Sequence, residues 1–374
     1  MRWKKVKLTD ICRPKQWKNL PISELLEDGY PVYGANGVIG RYNEFNHEFP
    51  TLAITCRGAT CGTINITVPK SYITSNAMAL DNISEWVDLH FLYYALIRRG
   101  FKDVITGAAQ PQITREALGK IVLDIPERKE DQVLIADLLG KAEKLIAQRK
   151  ESIKLIDEFL KSTFTNLFDN PVKNRKKFEI FRLKKYINFL TSGGRGWGIY
   201  YSKVGERFIR SLDVQMNYIS IEEPTFVVPP DNQEANRTKV QDFDILLTIT
   251  GSKIGRVAMV PSKFGIAYVS QHVAIIRTQG INPVYLSYYL SDMNCGQYLI
   301  QKSYYGQTKP GLNFRQIENF EIVVPPIELQ NHFANIAGKI ETLKIEYKQS
   351  LSELEKLYES LNQEVFKKEL ISNS

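Results

Sequence analysis

The 374 residues, 43% of them hydrophobic, suffice for two or three domains with cores of their own. The four cysteines, Cys12, Cys56, Cys61 and Cys295, exclude a disulfide framework and fit no zinc-site spacing, so they read as small buried apolar side chains. A net charge of +8 permits an anionic partner, while the absence of a signal sequence after Met1 and of any 18-residue apolar run points to a cytoplasmic chain with no membrane span.

In chain order, the first stretch, Trp3-Lys-Lys-Val-Lys-Leu-Thr-Asp-Ile-Cys12, is followed by short β-type runs at Pro31–Tyr33, Leu52–Thr55 and Thr63–Ile66, broken by glycines. An amphipathic helix carrying Leu92, Tyr94 and Leu96 comes next, then the loop Gly107-Ala-Ala-Gln-Pro-Gln-Ile113 and the run Ile121–Pro126. Much of this recurs, displaced by about 196 to 199 residues in its best-preserved parts and by less nearer the start. Phe178–Ile187 matches the opening, Gly251-Ser-Lys-Ile-Gly255 matches Gly58-Ala-Thr-Cys-Gly62, and Tyr268–His272 matches Tyr72–Asn76. Leu286, Tyr288 and Leu290 match the helix, Gly306-Gln-Thr-Lys-Pro-Gly-Leu312 the loop, and Phe320–Pro325 the run that follows. The second copy also holds strand candidates at Ile245–Thr250, Arg256–Val260 and His272–Arg277. Such a duplication implies a pseudo-symmetric molecule with two equivalent working ends.

Each copy then enters a long helix through Glu130-Asp-Gln132 or Glu328-Leu-Gln330. The second apolar stripe reads Phe333, Ile336, Ile340, Leu343, Tyr347, Leu351, Leu354, Tyr358, Leu361 and Val365; eight of the ten positions 198 residues earlier are apolar too. Steps of three and four with one stutter near the middle predict a coiled-coil seam, in which the two helices pair antiparallel. The seam residues expected are Leu138, Leu145, Ile153, Ile156 and Leu160 with Ile336, Ile340, Leu343, Leu351, Leu354 and Leu361. Each helix would span on the order of 60 Å, setting two heads apart like a measuring rod. Residues 129–168 and 327–369 together carry a net −2, so the remaining, globular parts carry +10, where a polyanion would be met. The predicted fold is α+β: two mixed α/β domains, 1–128 and 171–325, separated by an antiparallel two-helix coiled coil of 129–170 and 326–370.

No catalytic constellation emerges. Val228-Pro-Pro-Asp231 and Val324-Pro-Pro-Ile327 lack the polar residue that base methyltransferases place before the prolines, and Gly193-Gly-Arg-Gly-Trp-Gly198 lacks dinucleotide-loop spacing. His47, His90, His272 and His332 form neither a metal-ligand pattern nor a nucleophilic triad. What remains are polar and basic residues beside glycines, the types that read base edges or hold phosphates. In the first copy these are Asn36, Arg41, Arg57, Thr60, Asn76, Gln110 and Gln112. In the second they are Arg195, Trp197, Ser252, Lys253, Gln271, His272, Gln307 and Lys309. A plain turn or a locally satisfied polar group is the competing reading at every one of these positions.

Two variable α/β units, each followed by a long helix and marked by Gly34-Ala-Asn-Gly37, the Gly-x-x-x-Gly turns, Gln-Pro and Glu-x-Gln elements, resemble the specificity subunit of type I restriction–modification systems. The resemblance covers the whole chain. It implies two target recognition domains, one for each half of a split, asymmetric double-stranded DNA target, with the helices setting the unread gap. It further implies docking of two modification (methyltransferase) subunits, which bring S-adenosylmethionine, and of restriction subunits that translocate and cut. This chain itself would be non-catalytic and hold no cofactor. Two other readings stand beside it: the specificity component of a related split-target system with a fused nuclease–methylase, and a coiled-coil adaptor whose heads bind proteins.

Overall fold

The computed structural model describes residues 1–35, 37–107, 109–169, 174–304 and 310–366. The chain forms two compact units: Met1–Glu151 with Gln349–Ser374, and Ser152–Lys348.

The first unit runs β1 (Trp3–Lys7), α1 (Leu8–Ile11), β2 (Arg13–Gln16), β3 (Tyr30–Gly34), β4 (Gly37–Tyr42), β5 (Leu52–Thr55), β6 (Ile64–Ile66), β7 (Tyr72–Ile73) and β8 (Ala77–Asp81). It continues with α2 (Leu89–Arg99), α3 (Arg115–Gly119), β9 (Val122–Pro126) and the start of α4 (Lys129–Phe168). The second unit holds β10 (Glu179–Arg182), β11 (Ile187–Ser192), β12 (Tyr201–Ser202), β13 (Glu206–Ile209), β14 (Thr225–Val227), α5 (Gln233–Thr238), β15 (Ile245–Thr248), β16 (Val257–Met259), β17 (Ala267–Val269) and β18 (Val273–Thr278). It ends with α6 (Pro283–Ser291), α7 (Gly296–Tyr304), α8 (Phe314–Glu318), β19 (Glu321–Val324) and most of α9 (Ile327–Glu364).

The duplication read from the sequence is a duplication of topology. The main sheets are ordered β2-β8-β5-β6 and β11-β18-β15-β16, and the first and last strands of each head pair as β1 with β9 and β10 with β19. A smaller sheet in each head contains one parallel pair, β3 with β7 and β13 with β17. The units part company around these pairs. The first attaches β4 by a hairpin closing on Gly34 and Gly37, and the second uses β14 and β12 instead. Every residue of β5 and of β15 is buried, which suits central strands covered on both faces.

α2 starts where the Asp88 side chain accepts the Phe91 N–H, and α6 where Asn282 caps ahead of Pro283, each satisfying a donor that the first helical turn leaves unpaired. The head cores reach onto the long helices. In the first unit Ile135, Ala136 and Leu139 of α4 join Phe91, Leu92 and Leu96, with Tyr358, Leu361, Val365 and Phe366 packed alongside. In the second, Leu160, Phe164 and Phe168 of α4 meet Phe333, Ala337 and Ile340 of α9 and Tyr285 of α6. A fully buried side chain such as Phe333 contributes roughly 1.5–3 kcal/mol by leaving water.

Within each unit the long helices run antiparallel. In the first, Glu143 accepts from Tyr358 while Lys150, further along, pairs with Glu355. In the second, Asp157 pairs with Lys344, and Phe164, further along, meets Phe333 at 5.3 Å between ring centroids. Along α4, Ile153, Ile156 and Leu160 lie inward or half-buried, and along α9 so do Ile336, Ile340, Leu351, Leu354 and Leu361. Leu138 and Leu145 differ from the expected seam: they are 40% and 51% exposed, and Leu343 is 39% exposed. For Leu138 and Leu145 the reason is the packing of the first head on α4, which takes Ile135, Ala136 and Leu139 as its contact and turns the neighbouring face outward. Among the described residues no helix is long and apolar enough to cross a membrane.

Candidate nucleic-acid interface

In the first unit, four loops meet at the end of the main sheet. The turn between β5 and β6 has Gly58 at φ +89° and Gly62 at φ +93°, left-handed conformations that glycine adopts without strain. This turn is zipped to the Gln-Pro loop by Gly58 N–H donating to Pro111 O at 3.1 Å, by Ile113 N–H donating to Cys56 O at 3.0 Å, and by a bridge between Arg57 and Gln112. Cys56 N–H donates to Asn76 O at 3.1 Å, which draws in the loop between β7 and β8. Thr55 and Thr60 hydroxyls both donate to Ala35 O, at 2.8 and 2.9 Å, tying the β3–β4 turn to the same place. Arg57, Thr60, Gln110 and Gln112 are exposed on this surface and Asn76 is half-buried.

The second unit repeats the arrangement. Gly251 and Gly255 have φ +92° and +89°. Leu312 N–H donates to Ile249 O, Ile249 N–H donates to His272 O, both at 2.9 Å, and Thr250 bridges Gly311. Ser252 and Gln271 are exposed, Lys253 and His272 half-buried. The loop bearing Arg195 arrives at the same edge because Gly193 lies against Val269 and Ser270: a Cβ there would come within 2.1 Å of Val269 O. Arg195 is exposed.

Not every expected contact residue belongs to these surfaces. Trp197 is only 4% exposed, stacks on Phe208 at 5.2 Å and donates its indole N–H to Glu234 Oε1 at 2.8 Å. Its expected DNA role is corrected to a core role, since a ring packed against Phe208 and Tyr268 and held at its N–H has nothing left to present. Arg41 is exposed, with a guanidinium N–H donating to Gly29 O at 2.9 Å. Asn36, Gln307 and Lys309 lie outside the described residues.

Two contributors went unnoticed in the sequence. Gln16, on β2, donates to Ser75 O and Cys56 Sγ, at 3.0 and 3.1 Å, and so braces the first surface. Thr250 Oγ1 lies 2.6 Å from His272 Nδ1, and His272 Nε2 is 3.2 Å from Gln271 Nε2, giving the second surface a connected polar row. Thr250 directly precedes the repeated glycine turn, which is the signal that could have found it. At the other end of β15 and β18, Asp244 is buried and accepts two guanidinium N–H groups of Arg277, at 2.7 and 2.8 Å.

The chemistry on offer is that of binding. Burial pushes the Cys12 thiol up to about 12 and raises Cys56 and Cys295 as well, so these cysteines are poor nucleophiles. Among the described residues no group of three or more His, Cys, Asp or Glu side chains is placed to hold a metal ion.

Residues 1–155 and 213–356, well over half of the chain, match the family described as Type I restriction modification DNA specificity domain. The chain is similar to the type I restriction enzyme MjaIX specificity subunit of Methanocaldococcus jannaschii, 23% identical over an aligned length of 325 that covers 79% of this chain and 72% of that one. It is 27% identical to the type I restriction enzyme EcoprrI specificity subunit of Escherichia coli over 116 residues, 31% of this chain, and there spans only 28% of that subunit's length. The crystal structure of the type I restriction–modification S subunit from M. genitalium superposes with a TM-score of 0.70 at 16% identity, covering 98% of this chain and 96% of that one, a likeness of fold. With the duplicated heads, the paired helices and this match in hand, the chain belongs to the family of type I restriction–modification DNA specificity subunits.

Proposed function

We propose that this chain is the non-catalytic subunit that selects the DNA sequence for a type I restriction–modification complex, reading a split, asymmetric target with one head per half. Residues 1–128 form the first target recognition domain and 171–325 the second, while 129–170 and 326–370 are the spacer helices. The observation that carries this reading is the repeated surface: one backbone frame, built twice, presents unlike side chains. Arg57, Thr60, Asn76, Gln110 and Gln112 stand on the first frame, and Arg195, Ser252, Lys253, Gln271 and His272 on the second. Arginine and lysine suit phosphates and guanine edges, and amide side chains suit adenine edges, so two differently decorated frames fit two different half-sites.

Two modification subunits dock on the helices, supply S-adenosylmethionine and flip the target base; restriction subunits add cutting. The complex works in the cytoplasm. Because α4 and α9 each contribute residues to both units, their length sets the unread gap between half-sites.

The test is to map methylated bases across the host genome with and without this gene, and with Gln271 and His272 replaced. One split motif should vanish with the gene, and the double replacement should alter only one half of it. A methylation pattern independent of the gene would overturn the reading. So would binding by the assembled complex that depends on neither salt nor sequence.

A further inference from the structure

Each head meets its long helix through the same pair of side-chain joints. Gln132, in the first turn of α4, is fully buried. Its amide N–H groups donate to Pro126 O at 2.9 Å and Trp86 O at 3.1 Å, and its Oε1 accepts the Asp88 N–H at 2.7 Å. One side chain thereby ties together the end of β9, the start of α2 and the start of α4. Gln330 in α9, 1% exposed, does the same: its amide donates to Pro325 O at 2.7 Å and its Oε1 accepts the Asn282 N–H at 2.8 Å.

The second joint lies eleven residues further along each long helix, about 16 Å at 1.5 Å per residue. Tyr94 of α2 donates its hydroxyl to Glu143 at 2.9 Å, and Tyr288 of α6 donates to Glu341 at 3.5 Å. On the head's own helix the partners are again equally spaced, Asp88 and Tyr94 in one unit, Asn282 and Tyr288 in the other. A body attached at one point can swing, whereas one attached at two separated points holds a fixed angle. Isolated burial would explain one such glutamine. Two joints kept at equal spacing in both copies, while the reading loops diverged, point to a requirement that the copies share.

We infer that Gln132 with Glu143, and Gln330 with Glu341, are positioning residues that fix the angle of each head on its helix and thereby restrict the complex to one gap length. They touch no DNA. The inference rests on the reading given above, that each head reads a half-site.

The experiment uses the complete complex with its modification subunits and a set of duplexes that keep both half-sites while the gap is one base pair shorter, unchanged or longer. Wild type should prefer one gap. The Gln132→Met/Gln330→Met protein should lose about fivefold to tenfold of that preference, yet still reject a base change within either half-site as wild type does. A folded variant with gap preference unchanged overturns the inference, because the joints would then serve stability alone. Should the double variant fail to fold, Tyr94→Phe/Tyr288→Phe removes only two hydroxyls; a widened gap tolerance supports the inference and an unchanged one overturns it. Wild-type complex indifferent to both gap and base sequence overturns the underlying reading instead, and is told apart because it fails before any substitution is made.

Discussion

Thr250 Oγ1 and His272 Nδ1 lie 2.6 Å apart, joining the glycine turn of the second head to the start of β18. The contact orients an imidazole whose other nitrogen faces Gln271. Replacing Thr250 by Val keeps the shape and removes the hydroxyl. Discrimination in one half of the target should fall by about 1–3 kcal/mol, the worth of a well-placed base contact, while discrimination in the other half stays as it was. Competition binding with targets changed in a single half measures both; an equal loss in the two halves would count against the assignment of one head to each.

Arg195 and Trp197 share a glycine-rich loop and should behave oppositely. Arg195→Ala should weaken binding to all DNA sequences alike and flatten the salt dependence by about one unit of slope. Trp197→Ala should cost about 3–5 kcal/mol of stability by emptying a packed aromatic cluster. Salt titrations of binding and urea unfolding of each variant separate the two; a stable Trp197→Ala protein would contradict the core role.

The buried carboxylate of Asp244 has Arg277 as its charged partner. Asp244→Ala should therefore destabilise the second unit by about 3–5 kcal/mol, since a guanidinium is stranded beside apolar strands. Replacing both, Asp244→Leu with Arg277→Met, should recover most of that loss. Urea midpoints for the single and double variants test the coupling.

Burial first, and the Glu143 carboxylate second, raise the pKa of Tyr94 and of Tyr358 above the ordinary phenol value of 10. The folded chain thus keeps both phenols protonated where the unfolded chain ionises them. Their contribution is fully present below about pH 10 and is lost as pH rises above that value toward the raised folded one. Urea midpoints should be steady up to about pH 9 and fall beyond pH 10. Tyr94→Phe and Tyr358→Phe should each make that fall shallower; an unaltered profile would show that these phenols are not the groups responsible.

Much of this architecture is legible in the sequence. Stripes at steps of three and four gave the long helices because only a helix returns the same face at that period, and the glycine pairs gave the turns because few other residues tolerate φ near +90°. Trp197 misled because a tryptophan beside glycines looks available, and only the fold reveals Phe208, Tyr268 and Glu234 around it. Leu138 and Leu145 misled because a heptad pattern does not say which neighbour, the partner helix or the head, claims the buried side. Gln132 and Gln330 were visible as matched letters, but their hydrogen bonds reach 44 and 48 residues back along the chain, beyond any local pattern.

The first unit joins segments far apart in sequence, with Tyr358 and Phe366 packed against a head whose strands begin at Trp3. A ribosome must therefore translate through α9 before the first unit can close. Premature termination within α9 would damage a unit whose strands were translated long before it, and the second unit should become protease-resistant ahead of the first during synthesis.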